Sequence, residues 1–164
     1  MLLAVISDTH LPRGARRLPD ECIRRLRAAD LILHAGDFVT EAILAQIEAI
    51  GPPVAAVHGN VDEPALVRRL PPARVVDADG ARIAMVHDAG AAAGRLERMR
   101  RRFPDADAVV FGHSHIPLHD SDFDAGFQIF NPGSPTDRRR QPRHTMGLCR
   151  AQGGELGFQI VELG

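Results

Sequence analysis

Histidine and aspartate side chains follow the apolar stretches of this chain at short, repeated spacings. Residues 109–111 are apolar and are followed by Gly112, His113 and His115. In an extended segment the side chains at positions i and i+2 point to the same side, so we expect both imidazoles to reach one small volume. Neutral imidazole is the commonest metal ligand among side chains. This stretch therefore predicts a metal site.

The ends of four other apolar runs carry donors of the same chemical type. They are Asp8 and His10 after residues 2–6, Asp37 after residues 31–34, Asn60 after residues 54–57 and His87 after residues 81–86. Taken singly, each has an ordinary explanation as a turn residue, a cap or a hydrogen-bonded core histidine. Because ligands bind at the carboxyl ends of strands in α/β sheets, five such ends together favour one shared site. His34 is interpreted as a buried or supporting residue rather than as a ligand.

The donor types narrow the choice of metal. Carboxylate and amide oxygens are mixed with imidazole nitrogens, and no thiolate is among them, which favours Mn, Fe, Zn, Co or Ni over Ca or Mg. Asp8 and Asp37, if brought to about 4 Å, would repel by about 4 kcal/mol at an effective dielectric constant of about 20. Bound cations would relieve that repulsion.

Length and composition indicate one globular domain spanning residues 1–164, with 45% hydrophobic and 25% charged residues. With a formal net charge of -1, the protein as a whole is not attracted electrostatically to membranes or nucleic acid. Nucleic acid is therefore expected at most as a substrate. Cys22 and Cys149 lack metal-type spacing, which predicts reduced thiols and a cytoplasmic location. No apolar run is long enough to span a bilayer.

Helices and strands alternate in the first half of the chain, whereas hairpins dominate the second half. Apolar stripes predict helices over residues 20–29, 40–50, 62–70 and 92–103, and hairpins over 74–86, 116–130 and 144–163. Thr40 and Asp62 are the predicted N-caps of the second and third helices. This order of elements predicts two packed, mixed sheets with helices on their outer faces.

Arginines and phenylalanines outside these motifs receive simpler interpretations. The arginines of the fourth predicted helix, from Arg95 to Arg102, are interpreted as solvated surface charge. The three arginines of the loop after His10 are interpreted in the same way, with an anion site as the alternative. The phenylalanines of the C-terminal third are expected in the core, with an exposed pair at a dimer interface as the alternative; they are Phe123, Phe127, Phe130 and Phe158.

The order Asp-x-His, Gly-Asp, Gly-Asn, His, Gly-His-x-His resembles the signature of calcineurin-like metallophosphoesterases, especially their small single-domain bacterial and archaeal members. The motifs run from residue 8 to residue 115, and residues 131–134 also resemble that subgroup. The resemblance implies an α/β fold, a four-layer αββα sandwich of two mixed β-sheets flanked by helices. It also implies a binuclear metal centre at one edge of the sandwich.

The resemblance further implies a set of ligands for two divalent ions that share Asp37. The first ion would be held by Asp8, His10, Asp37 and His115, and the second by Asp37, Asn60, His87 and His113. Mn or Fe is favoured, with Zn, Ni and Co as alternatives. The implied function is a metal-dependent phosphoesterase, with phosphodiesters favoured, in which a metal-bridging hydroxide attacks phosphorus in line. Asp37, Asn60 and His113 are the expected catalytic residues.

Two residues depart from the family pattern. Val61 stands where many members have a histidine that assists the leaving group, and the loss of general-acid help costs about 10²–10⁴-fold in rate. Asp88 stands after His87 in place of the usual glycine, and would either hydrogen-bond a ligand or cap a loop. His119 could replace the missing acid if its strand faces the site, although an ordinary surface position is the simpler expectation.

Two alternatives remain open. One is a non-catalytic metal-binding scaffold of the same fold, similar to the retromer scaffold subunit, that mediates protein–protein contacts. The other is a two-metal hydrolase that acts on a non-phosphate ester. All seven donor positions are filled, which favours the enzyme. The expected partners are a small phosphoester substrate, no membrane, and a second copy of the chain as a homo-oligomer.

Overall fold

The first apolar run forms a strand that is buried on both faces, as its lack of polar alternation predicts. The computed structural model describes residues 1–164, and β1 (Leu2–Ile6) is the central strand of a five-stranded sheet. It pairs in parallel with β2 (Leu31–His34), which pairs in parallel with β3 (Val54–Ala56). On its other side β1 pairs antiparallel with β9 (His144–Gln152), and β10 (Glu155–Leu163) forms the edge.

The second sheet also has five strands and mixed direction. Its central strands β5 (Ala81–Val86), β6 (Ala108–Val110) and β8 (Phe127–Asn131) are mutually parallel. Its edges are β4 (Ala73–Ala78) and β7 (Leu118–Asp122), each joined antiparallel to its neighbour. The hairpin predicted over residues 74–86 is therefore present.

Four short helices cover the outer faces of the sheets. They are α1 (Asp20–Arg27), α2 (Glu41–Glu48), α3 (Pro64–Arg69) and α4 (Arg95–Arg102). The helices α1–α3 bury Leu26, Leu44 and Leu66 in one apolar cluster with residues of the first sheet. Helix α4 buries Met99 against the second sheet. No helix is long and apolar enough to cross a membrane.

A third apolar cluster lies between the two sheets. Val5 and Leu33 of the first sheet pack there with Met85 and Val110 of the second. The order of layers is thus helices, sheet, sheet and helices. The four-layer α/β sandwich expected from the sequence is confirmed.

Two local predictions, on the Asp62 cap and on the arginines of α4, are wrong. Thr40 is the N-cap residue of α2 as predicted, although its side chain makes no capping hydrogen bond, whereas Glu63 rather than Asp62 is the N-cap residue of α3. Arg95 and Arg98 are not simply solvated. Their guanidinium groups donate to backbone carbonyls of the loop after His87, because that alanine- and glycine-rich loop has no regular partners for its carbonyls.

The phenylalanine prediction is confirmed for three residues and wrong for one. Phe127, Phe130 and Phe158 are buried, and the rings of Phe130 and Phe158 stack with centroids 4.7 Å apart. Phe123 lies in the turn between β7 and β8 and is 92% exposed. The turn extends beyond the sheet, so Phe123 has no core to enter.

Candidate metal centre

Six of the predicted donor residues form two adjacent clusters at the carboxyl ends of the strands. The first contains Asp8, His10 and His115, and the second contains Asp37, His87 and His113. Within each cluster the candidate ligand atoms all lie within 4.8 Å of one another. Donors from both sheets are thus brought together at one edge of the sandwich.

Asp37 lies between the two clusters. Its Oδ2 is 3.4 Å from Nε2 of His10 in the first cluster and 3.2 Å from Nε2 of His87 in the second. Asn60 joins the second cluster, with its Oδ1 2.9 Å from Nε2 of His87 and 3.0 Å from Nδ1 of His113. The structure therefore brings all seven predicted residues into one site.

The backbone carries these donors in an unusual conformation. Five of them have positive φ angles: Asp8 (56°), His10 (45°), Asp37 (62°), His113 (67°) and His115 (59°). Non-glycine residues adopt this region at a cost, and such strain concentrates at functional sites. The expectation that His113 and His115 share one direction along an extended segment is wrong, because the chain turns at both residues and places them in different clusters.

Glycines allow the site loops to approach one another closely. A methyl group on Gly59 would overlap the carboxylate of Asp37, and one on Gly112 would overlap the Ser7 hydroxyl. At Gly36 an added Cβ would lie 2.9 Å from Nδ1 of His87. The glycine that precedes each of Asp37, Asn60 and His113 is therefore required by packing.

The ring nitrogens that face away from the centre fix the orientation of two histidines. Nδ1 of His87 donates to the carbonyl of Ala35 at 2.7 Å, and Nδ1 of His115 donates to the carbonyl of Asp137. In a neutral imidazole the remaining Nε2 then carries a lone pair. This pattern, in which the outer nitrogen binds a backbone carbonyl, is typical of metal-binding histidines.

The inner nitrogens of the first cluster lack protein partners. Nε2 of His10 and Nε2 of His115 are both buried without a hydrogen-bond partner. Nε2 of His115 lies 3.4 Å from Oδ1 of Asp8. A buried polar atom without a partner is costly, and a cation placed between these nitrogens and carboxylates would satisfy them. The residues present therefore fit divalent metal ions.

The charge states are consistent with a site that attracts cations. Burial raises the pKa of Asp37, but the hydrogen bond and charge of His87 and the N–H of Val61 lower it by more, so Asp37 remains a carboxylate. Burial lowers the pKa of His115 and keeps this imidazole neutral. Burial also lowers the pKa of His87, but Asp37 and Asp8 raise it above its ordinary value. A proton and a metal ion compete for that nitrogen.

The end of β8 and the segment after it are hydrogen-bonded to the loops that carry the candidate ligands. The Ser134 hydroxyl donates to the carbonyl of Asp8 at 2.7 Å, and the Thr136 hydroxyl donates to the carbonyl of Thr9. The Asn131 amide donates to the carbonyl of Gly112 at 2.9 Å. Residues 131–136 are thus buried and hydrogen-bonded to the loops that carry the candidate ligands.

Sequence reasoning missed the role of Asp62. Its carboxylate accepts backbone N–H groups of Asp37 at 3.1 Å, Val39 at 2.8 Å and Gly59 at 2.7 Å. These donors belong to the two loops that carry Asp37 and Asn60. The only sequence signal was an acidic residue two positions after Asn60, which also fits a helix cap.

The remaining candidates lie at the rim or outside the site. His34 is fully buried, accepts the N–H of Gly36 and stacks on Phe38, as expected for a supporting residue. Asp88 is exposed and accepts the N–H of Gly90, and its Oδ2 is 4.0 Å from Nε2 of His113. His119 hydrogen-bonds Gln128 on the second sheet and does not join the site.

Comparison with known proteins agrees with this architecture. The family described as the calcineurin-like phosphoesterase superfamily domain matches residues 1–154. A probable metallophosphoesterase of Methanothermobacter thermautotrophicus is 33% identical over 166 residues, which cover 100% of this chain and 94% of that protein.

Two solved structures share the fold at low sequence identity. Vps29 complexed with Zn²⁺ from Entamoeba histolytica has a TM-score of 0.78 and 21% identity, with 99% of each chain covered. A protein described as a novel archaeal phosphodiesterase has a TM-score of 0.73 and 18% identity, with 98% of this chain and 100% of that chain covered. From its family match and its close relative, this chain belongs to the calcineurin-like phosphoesterase superfamily.

Proposed function

We propose that this protein is a phosphodiesterase that depends on two divalent metal ions. The observation that carries the proposal is the position of the Asp37 carboxylate between two clusters whose inner histidine nitrogens converge on it. A shared carboxylate between two cation sites is the arrangement expected where two positive ions must lie close together.

In this proposal the ions are distributed over the two clusters. Asp8, His10 and His115 would hold one ion, His87, His113 and Asn60 would hold the other, and Asp37 would contact both. The mixed nitrogen and oxygen donors favour Mn or Fe, with Zn, Ni and Co as alternatives. When bound, the ions would supply an activated water at neutral pH and neutralise negative charge on the phosphoryl group.

The exposed side chains at the rim would position the substrate. Asn60 is exposed and its Oδ1 faces the two histidines, so its amide N–H₂ is free to donate to a phosphoryl oxygen. Asp88 places a carboxylate near His113. That charge disfavours a dianionic monoester more than a monoanionic diester, which supports the choice of phosphodiesters.

Neither Val61 nor His119 supplies an acid beside the site. Val61 is 42% exposed, and its backbone N–H donates to Asp37. His119 is on another part of the second sheet. We therefore expect substrates with acidic leaving groups to react much faster than those with alkoxide leaving groups.

The test compares metal-free and Mn²⁺-loaded protein on bis(p-nitrophenyl) phosphate. Metal-free protein should be inactive and should regain turnover with Mn²⁺, and elemental analysis should find two ions per chain. His115→Ala should lower both metal content and rate, whereas His119→Ala, a histidine outside the site, should change neither. If fully loaded protein hydrolyses no phosphoester across pH and metals, the enzymatic proposal is wrong.

The alternative of a non-catalytic scaffold rests on the likeness of fold to Vps29. That likeness concerns the fold alone, and the seven donors fit a metal site in either case, so hydrolysis is the measurement that separates the two. Bound metal without hydrolysis of any ester would favour the scaffold. Hydrolysis of carboxylic esters but no phosphoesters would favour the second alternative.

We also propose that residues 1–164 form one domain and that the protein acts in the cytoplasm. The two sheets share one apolar layer throughout, and both cysteines are buried and unpaired. Limited proteolysis that releases a stable fragment would contradict the single domain.

A further inference from the structure

The loop that follows His87 has almost no side chains of its own to hold it in place. After Asp88 it consists only of alanine and glycine, up to Gly94. Ala89 is its one buried residue, and residues 90–94 are exposed. Such a segment buries little apolar area, so packing does not offset the conformational entropy that is lost when it is ordered. Its order must therefore come from polar contacts.

Arg98 of α4 provides most of these contacts. Its guanidinium group donates to three carbonyls of the loop, those of Ala91 at 2.6 Å, Ala89 at 2.7 Å and Ala93 at 3.2 Å. A guanidinium group can bind several carbonyls at once because its five N–H donors point in fixed, planar directions. The ammonium group of a lysine carries the same charge but cannot reproduce this geometry.

Arg95 connects the same loop to the strand that leads to His113. Its guanidinium group donates to the carbonyl of Gly90 at 2.8 Å. It also lies over the ring of Phe111, 5.0 Å from the centroid. Phe111 is buried and comes two residues before His113 in the chain. The loop after β5 and the end of β6 are thus joined through one side chain of α4.

Asp88, the first residue of this loop, lies at the rim of the metal centre. Its Oδ1 accepts the N–H of Gly90 at 2.7 Å, and its Oδ2 is 4.0 Å from Nε2 of His113. Ala89 and Gly90, whose carbonyls the two arginines bind, are the next two residues in the chain. The position of the Asp88 carboxylate therefore depends on the backbone that α4 holds.

We propose that Arg98 and Arg95 are positioning residues that hold Asp88 at the rim and thereby help the site to select diesters. This inference rests on the proposed phosphodiesterase function, in which the Asp88 carboxylate disfavours dianionic monoesters. The hydrogen bonds of the arginines carry the effect, and their charge does not. A positive charge by itself would act in the opposite direction, because it attracts a dianion more strongly than a monoanion.

The test measures kcat/KM of the Mn²⁺-loaded full chain on two esters at pH 8, and the readout is the ratio of the two values. The diester is bis(p-nitrophenyl) phosphate, and the monoester is p-nitrophenyl phosphate, a dianion at this pH. Arg98→Lys keeps the charge and loses the planar donors. It should lower the ratio of diester to monoester about two- to fivefold, the size expected for an interaction between exposed charges. Arg95→Lys, a second variant of the same kind, should change the ratio in the same direction.

A double variant tests whether Arg98 acts through Asp88. Asp88→Asn alone should lower the ratio as Arg98→Lys does. Adding Arg98→Lys to Asp88→Asn should then lower it no further, because both changes act through one carboxylate. Arg100→Lys is the matched control, since Arg100 is exposed on the same helix and the loop carbonyls bind only Arg95 and Arg98 among the side chains of α4.

A second readout does not depend on the hydrolysis of any ester. Elastase cleaves after small side chains, and the loop presents exposed alanines at positions 91–93. Cleavage there should be at least about tenfold faster in Arg98→Lys than in the wild type, since proteolysis follows the population of the open loop. Mass spectrometry locates the cut. Arg100→Lys should be cleaved as slowly as the wild type.

The proposal is overturned if elastase cleaves the loop of Arg98→Lys at the wild-type rate. It is also overturned if cleavage is faster but the ratio of the two esters is unchanged, or if the double variant has a lower ratio than Asp88→Asn. If the wild type binds two ions and hydrolyses neither ester, the proposed function is wrong and the selectivity is overturned with it. The elastase measurement then still decides whether Arg98 holds the loop.

Discussion

The carboxylate of Asp62 accepts the backbone N–H of Asp37 at 3.1 Å, so an acidic side chain that is not itself a candidate ligand holds the backbone of Asp37 in place. The same carboxylate accepts the N–H of Gly59, which precedes Asn60. Asp62 thus connects the loops after β2 and β3 and sets the distance between Asp37 and Asn60. Three N–H donors to one nearly buried carboxylate are a strong, charge-assisted arrangement.

Replacing Asp62 should therefore weaken metal binding without removing a ligand. For Asp62→Asn we expect the affinity for the second ion to fall about 10- to 100-fold, the range typical of residues that support metal ligands. Isothermal titration with Mn²⁺ measures the affinity, and the electron paramagnetic resonance spectrum distinguishes a pair of ions from a single one. Glu63→Gln is the control, because Glu63 accepts only the N–H of Glu41. Unchanged binding of both ions by Asp62→Asn would contradict this role.

Asn60→Ala should separate metal binding from substrate positioning. Its amide has an oxygen directed at His87 and His113 and a nitrogen available to a phosphoryl oxygen. We expect the rate on bis(p-nitrophenyl) phosphate to fall about 10²-fold, as for loss of a donor to a developing charge. Steady-state kinetics and elemental analysis are measured on the same sample. Full metal content with an undiminished rate would remove Asn60 from the mechanism.

Val61→His should extend the range of leaving groups. Position 61 is at the surface, and its N–H hydrogen-bonds Asp37, so a histidine there would lie beside the site without entering the core. We expect little change with p-nitrophenolate, which needs no protonation, and at least a tenfold gain with an alkyl leaving group, the lower part of general-acid catalysis. Rates on an aryl and an alkyl diester are compared at the same metal content. An equal change on both substrates would argue against general-acid assistance.

The two thiols should be unreactive in the folded protein. Burial raises the pKa of Cys22 from 9.0 to about 12, with a further contribution from the charge of Glu21, and burial raises the pKa of Cys149 to about 12. Both thiols therefore stay protonated at pH 8. Ellman's reagent should find no reactive thiol in the native protein and two in urea.

These raised values also determine the sign of a stability change. Below pH 9 the thiols are protonated in both the folded and the unfolded states, so they add no pH dependence. Above pH 9 the unfolded chain ionises first, and the free energy of unfolding should decrease as the pH rises. The double variant Cys22→Ala and Cys149→Ala should show a smaller decrease between pH 9 and pH 11 in urea titrations. An equal decrease would assign the effect to other groups.

Several features could not be predicted because they depend on long-range contacts. Asp62 was interpreted as a helix cap, since an aspartate before Pro64 fits that role locally. Its real partners, the N–H groups of Asp37 and Val39, are more than 20 residues away in the chain. Arg98 was interpreted as solvated for a different reason: its partners, the carbonyls of Ala89 and Ala91, are close in the chain, but no residue pattern shows where the carbonyls of an irregular loop point.

The sequence by itself determined the four-layer fold and predicted the residues of the candidate site. Short, continuous apolar runs favour strands buried on both faces, and each run ends where its donors begin. The family resemblance implied how those donors divide between two clusters, and the tertiary structure alone shows the backbone geometry that divides them. Positive φ angles at His113 and His115 separate two imidazoles that a two-residue spacing would have joined. Such angles are imposed by the packing of loops from both sheets, and no local pattern of residues encodes that packing.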